Sequence, residues 1–124
     1  MIALALLVVG CADPNAPPSI VWDHVACDEC GMLVGDPTSA AALIESDGTQ
    51  RSFDDPGCLF RYVLAKQPHV SRMWFTDGAS WYRENAVGFV VGAATPMGSG
   101  LHAVPAGTPG ALGFGEASSR VVTQ

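Results

Sequence analysis

The sequence is short of positive charge. Lys and Arg together number 6 in 124 residues, against 12 Asp and Glu, for a formal net charge of -6. Phosphate binding needs a basic face, so nucleic acid is excluded as a partner. The few cations stand singly, and no polybasic run is present to hold an anionic membrane surface. A long apolar run is also missing. The stretch from Met1 to Gly10 (M-I-A-L-A-L-L-V-V-G) is far shorter than the roughly 20 residues a spanning helix needs. A second Cys-x-x-C is absent too, so the chain lacks half of a four-cysteine zinc site. What is present is an apolar fraction of 48% with only 15% charged residues, enough for a packed core. About a hundred residues remain after the first twenty, which suits one domain or two small lobes sharing a core.

The N-terminal segment reads as an address rather than as structure. Residues 1–10 resemble the core of a signal peptide, and Val8-Val9-Gly10-Cys11 resembles a bacterial lipoprotein signal in which Cys11 takes the lipid. A buried N-terminal strand is the alternative. Residues 11–19 hold three prolines and no apolar periodicity, so they read as an extended tether behind the lipidated Cys11. The expected location is the cell envelope, anchored to a membrane and facing the periplasm or extracytoplasmic side. Three thiols then remain in the domain of residues 20–124: Cys27, Cys30 and Cys58. An odd number cannot all pair within one chain.

The domain predicts an α+β fold. Residues 40–45 read as a strand, 46–49 (S-D-G-T) as a hairpin turn, and 50–53 as the returning strand. Asp54 is expected to cap a helix that Pro56 opens and that runs to Lys66. Residues 70–76 form a further strand. Residues 81–85 read as edge structure, 86–94 as a strand and 101–104 as another. A poor helix is expected over 111–118, with a final strand over 120–123. The order strand, strand, helix, strand occurs twice, predicting two small ββαβ-like lobes with mixed or antiparallel sheets. They cover about residues 20–78 and 79–124, the second clipped at the C-terminus.

The densest group of soft donors is Cys27-Asp28-Glu29-Cys30-Gly31-Met32. A thiolate and a thioether two residues apart converge if Gly31 lets the backbone turn sharply. Such ligands select copper(I) over hard cations. Met97 is the second sulfur, in Thr95-Pro96-Met97-Gly98-Ser99-Gly100. A methionine with no apolar neighbours along the chain reads as a ligand better than as core filling. Cys30, Met32 and Met97 are therefore the expected metal ligands, with Cys27, Asp28, His24 and His102 as possible additions. Cys58, beside Leu59 and Phe60, reads as a small core residue. No catalytic residues are assigned, and a metal binder rather than an enzyme is expected. The alternatives are a periplasmic Cys-x-x-C dithiol oxidoreductase, a scaffolding lipoprotein and, more remotely, an organomercurial lyase. The acidic pair inside the motif disfavours the oxidoreductase, because negative neighbours raise thiol pKa values.

Cys30-Gly31-Met32, the helix opening Phe53-Asp54-Asp55-Pro56-Gly57-Cys58, the Trp74 strand and Thr95-Pro96-Met97-Gly98-Ser99-Gly100 together resemble the NosL family. These are lipoproteins accessory to nitrous-oxide reductase maturation. The likeness runs from about Ala26 to Val104 and lapses in the Gly-rich C-terminal stretch. It implies two ββαβ lobes and a copper(I) metallochaperone with ligands at Cys30, Met32 and Met97. It also implies delivery toward nitrous-oxide reductase through a membrane transporter complex.

Overall fold

The computed structural model describes residues 13, 15–92 and 94–123. The apolar run 1–10 and Cys11 lie outside the described residues. Strand β1 (Ala41–Glu45) and strand β2 (Gln50–Phe53) form the expected hairpin. Asp47 accepts the Thr49 N–H at 2.9 Å inside its turn, and Gly48 takes φ 91°, a left-handed value that favours glycine.

Helix α1 (Pro56–Lys66) follows. Its cap is Asp55, not Asp54: the Asp55 carboxylate accepts the Gly57 N–H at 2.8 Å. The expected cap is thus displaced by one residue, because Pro56 takes the first helical position and so puts Asp55 before it. Leu59, Phe60 and Tyr62 are buried, while Leu64 is exposed. Strand β3 (Val70–Thr76) lies antiparallel to β1, and β4 (Trp81–Arg83) lies antiparallel to β3. The first sheet therefore runs β2-β1-β3-β4. Strand β5 (Val87–Val91) and strand β6 (Leu101–Pro105) make a separate two-stranded sheet. Both sheets are antiparallel throughout.

Helix α2 (Phe114–Val122) corrects the C-terminal reading. The strand expected over 120–123 falls mostly within it. Ala117 and Val121, four residues apart, are buried, whereas Val122 is exposed. That spacing buries one helical stripe, and the β-propensity of a two-valine run is too weak to override it. Ala111, the expected helix start, lies before the helix, because Leu112 bridges to Phe89 and holds that stretch extended.

The two sheets share one core. Phe60 of α1, Phe75 of β3, Phe89 of β5 and Phe114 of α2 form a ring cluster, with Phe75 and Phe89 centroids 5.1 Å apart and Phe60 and Phe114 5.5 Å apart. Phe60, Phe75 and Phe89, which are buried, each contribute about 1.5–3 kcal/mol by burial, and each edge-on pair about 0.5–1.5 kcal/mol more. This cluster sets the start of α1 against the second sheet. No helix among the described residues is long and apolar enough to cross a membrane.

Candidate metal centre

The Cys-x-x-C segment folds as a tight knuckle. The Cys27 N–H donates to the Met32 carbonyl at 2.7 Å, and the Gly31 N–H to the Cys27 carbonyl at 2.9 Å. Gly31 takes φ 80°, so the sharp turn expected of it is made. Ala26 and Leu33 pair at the base of the knuckle. Asp28 then fastens the knuckle to β2. Its N–H donates to the Ser52 carbonyl at 2.9 Å, and its carboxylate accepts the Ser52 N–H at 2.8 Å. The same carboxylate lies 3.8 Å from Arg51. Asp28 is thus engaged as an anchor. The anchor sets Cys27 and Cys30 over the first turn of α1.

There the knuckle meets Asp54 and Cys58. The ligand atoms of Cys27, Cys30, Asp54 and Cys58 all lie within 4.8 Å of one another. The thiols of Cys30 and Cys58 both donate to Asp54 Oδ1, each at 3.4 Å. The Arg61 guanidinium donates to Cys58 Sγ at 3.4 Å and lies 3.6 Å from Glu29 of the knuckle. Cys27, Cys58 and Asp54 are buried, whereas Cys30 is half-buried. All three thiols are free.

The thiols are electrically unequal. A hydrogen bond from Cys58 lowers the Cys27 thiol to about 6, against the opposing effect of burial. Burial pushes Cys30 up to about 11, and its hydrogen bond and charge repulsion with Cys27 act in the same direction. Its hydrogen bond with Cys27 and its burial push Cys58 far above the ordinary thiol value. Of the three thiols, Cys27 is thus the one favoured to ionise, and Cys30 and Cys58 are held toward the protonated form. A soft cation binding here would displace protons, most of all from Cys30 and Cys58.

Asp55, one residue from Asp54, serves the second sheet instead. It is fully buried. Its carboxylate accepts from Thr95 Oγ1 at 2.5 Å, from the Met97 N–H at 3.0 Å, from the Ser99 N–H at 3.4 Å and from the Ser99 hydroxyl. Burial opposes its ionisation, but the hydrogen bonds from Ser99, Thr95, Gly57 and Met97 outweigh it and hold its carboxyl below the usual range. The loop bearing Met97 is thereby docked on the head of α1.

The expected ligands fall in three groups. Cys30 and Cys27 sit in the convergence itself. Met32 and Met97 carry exposed side chains, 60% and 41% accessible, on the knuckle and on the docked loop. His24 is exposed in the turn before the knuckle and His102 is half-buried on β6, and neither belongs to the convergence of thiols and Asp54. Cys58 was expected to pack as a small core residue. It is buried, but its sulfur faces the other two thiols. Asp54 and Cys58 were the residues sequence reasoning missed. The available signal was their place at the helix start, Asp54 just before the Asp55 cap and Cys58 in the first turn.

No family model matches the sequence, and no curated protein matches it. Among solved structures, the chain is similar to the crystal structure of the copper chaperone NosL from Shewanella denitrificans. The TM-score is 0.60 at 16% identity, covering 90% of this chain and 89% of that one. At this identity the likeness establishes the fold.

Proposed function

We propose that this chain is a copper(I) metallochaperone of the NosL kind, holding one ion between the thiolates of Cys27, Cys30 and Cys58. The observation that carries this reading is the convergence of three free thiols and Asp54 within 4.8 Å. Sulfur-rich sites select copper(I) over hard cations, and the exposed thioethers of Met32 and Met97 add donors that zinc would not use. The fold shared with a copper chaperone supports the same assignment. Cys30, half-buried, is the most accessible of the three sulfurs. Lipidation at Cys11 holds the domain at the envelope membrane, and the copper is handed through a membrane transporter complex toward nitrous-oxide reductase.

The electrical asymmetry disfavours dithiol exchange. An attacking thiol should be both ionised and accessible. Here the thiol whose pKa is lowered, Cys27, is 3% exposed, and the more accessible one, Cys30, has its pKa raised. The motif also precedes a strand hairpin rather than opening a helix.

The test is anaerobic copper(I) titration against a chromophoric chelator, with zinc(II) titrated in parallel. The expected outcome is one copper(I) per chain, with sulfur-dominated coordination by X-ray absorption. Failure of copper(I) to compete with the chelator, or preferential retention of zinc(II), would sink the assignment. Turnover in a thiol-exchange assay would favour the oxidoreductase instead.

A further inference from the structure

Asp54 and Asp55 stand side by side yet serve opposite sides of the site. Asp54 accepts from the thiols of the first lobe, while among the described residues every donor to the Asp55 carboxylate except Gly57 comes from the loop between β5 and β6. We propose that Asp55 is a positioning residue for the metal site. Its buried carboxylate holds the Met97 loop beside the thiol pocket, so that the Met97 thioether serves as the exchangeable ligand. The inference rests on the copper(I) reading above.

The geometry divides the work between the two oxygens. Oδ1 accepts from Gly57 N–H and the Ser99 hydroxyl. Oδ2 accepts from Thr95 Oγ1, Met97 N–H and Ser99 N–H. The loop's own polar groups are completed by this arrangement. Thr95 Oγ1 also accepts from Gly100 N–H at 3.0 Å, and Ser99 Oγ from Leu101 N–H at 3.2 Å. Both hydroxyls therefore have their protons free for the carboxylate. Gly57 closes the joint. A Cβ built on it would lie 2.8 Å from Ser99 Cβ, so the loop and helix approach more closely than any side chain there permits. A residue that only capped the helix would need one acceptor; Asp55 supplies three further bonds to the loop through its second oxygen.

Asp55→Asn separates capping from clamping. Asn is a good cap, so Oδ1 can still serve Gly57. The amide nitrogen replacing Oδ2 turns a donor toward the Met97 and Ser99 N–H groups. Gly57→Ala attacks the same joint by steric means, and Thr95→Val removes one of its hydroxyls. The experiment follows the ε-methyl NMR signal of Met97, assigned by Met97→Leu, as copper(I) is added to the anaerobic protein. In the wild type this signal is expected to shift with one equivalent. In Asp55→Asn and Gly57→Ala the shift is expected to vanish, while the thiols still bind copper(I) about 10–100-fold more weakly. A merely structural role would not silence one methyl group while leaving folded protein that binds the ion. If Asp55→Asn does not fold, Gly57→Ala and Thr95→Val decide the matter. Retention of the wild-type shift and affinity in the folded variants overturns the inference. A wild-type protein that binds copper(I) with no response at Met97 overturns it too and leaves the copper reading standing. A wild type that binds no copper(I) removes that reading first, and this inference with it.

Discussion

The knuckle 27–32 and the loop 95–100 are built alike and anchored differently. Each sets a methionine next to a glycine at φ 80°, Gly31 in one and Gly98 in the other. The knuckle holds itself through backbone bonds and is fastened to β2 by reciprocal Asp28–Ser52 bonds. The loop is fastened to α1 largely through one carboxylate, Asp55. A site assembled from one self-supporting loop and one dependent loop has a fixed side and an adjustable side. Two of the three clustered thiols, Cys27 and Cys30, are on the fixed side. One thioether, Met32, is on the fixed side and the other, Met97, is on the adjustable side.

The largest expected effect tests the fixed side. Cys30→Ser and Cys58→Ser should each weaken copper(I) by more than the roughly 100-fold upper range for loss of a ligand's outer partner, as read by chelator competition. A Cys58→Ser protein of wild-type affinity would return Cys58 to the role of core filler. The next effect is pH dependence. Cys27 is already ionised above about 6, so near neutrality the protons released come from Cys30 and Cys58, both raised. Affinity should therefore rise with pH, releasing about two protons per ion, and steepen below about 6 as Cys27 also protonates. Titration at several pH values with proton counting checks this; a flat profile would contradict the asymmetry of the thiols.

A smaller effect concerns the dependent side and is read in stability. Asp55→Ala leaves a helix cap and two buried hydroxyls without an acceptor, and should cost at least about 2 kcal/mol in urea unfolding. The sign with pH follows from its lowered pKa. The contribution is present above the unfolded carboxyl value of about 3.9 and is lost as pH falls through the folded one. The smallest effect belongs to the surface ion pairs. Glu29→Gln, which removes the 3.6 Å pair with Arg61, should change stability by less than about 1 kcal/mol. A larger loss would mean that the pair orients Arg61 toward Cys58.

Local pattern was legible in the sequence where it was strong. An apolar run and an Asp-Gly turn disclosed the β1–β2 hairpin, and Pro56 with its following apolar spacing disclosed α1. Cys30-Gly31-Met32 drew attention for its chemistry alone. The role of Cys58 was hidden because it depends on contacts across the chain: Asp54 lies 24 residues beyond Cys30. Its apolar neighbours Leu59 and Phe60 share its core cluster, and only the approach of Cys27 and Cys30 marks its sulfur as a donor. The C-terminal helix was hidden for a related reason. Val121 is helical because Ala117 shares its buried stripe, a tertiary fact that outweighs local propensity.

The phenylalanine cluster carries a mechanical consequence. With Phe60, Phe75, Phe89 and Phe114 stacked edge to face across both sheets, the halves cannot part like jaws without tearing the middle of the molecule. Rearrangement around the thiols and the Met97 loop is thereby confined to single side chains at the rim, a slip rather than a hinge, while the frame stands still.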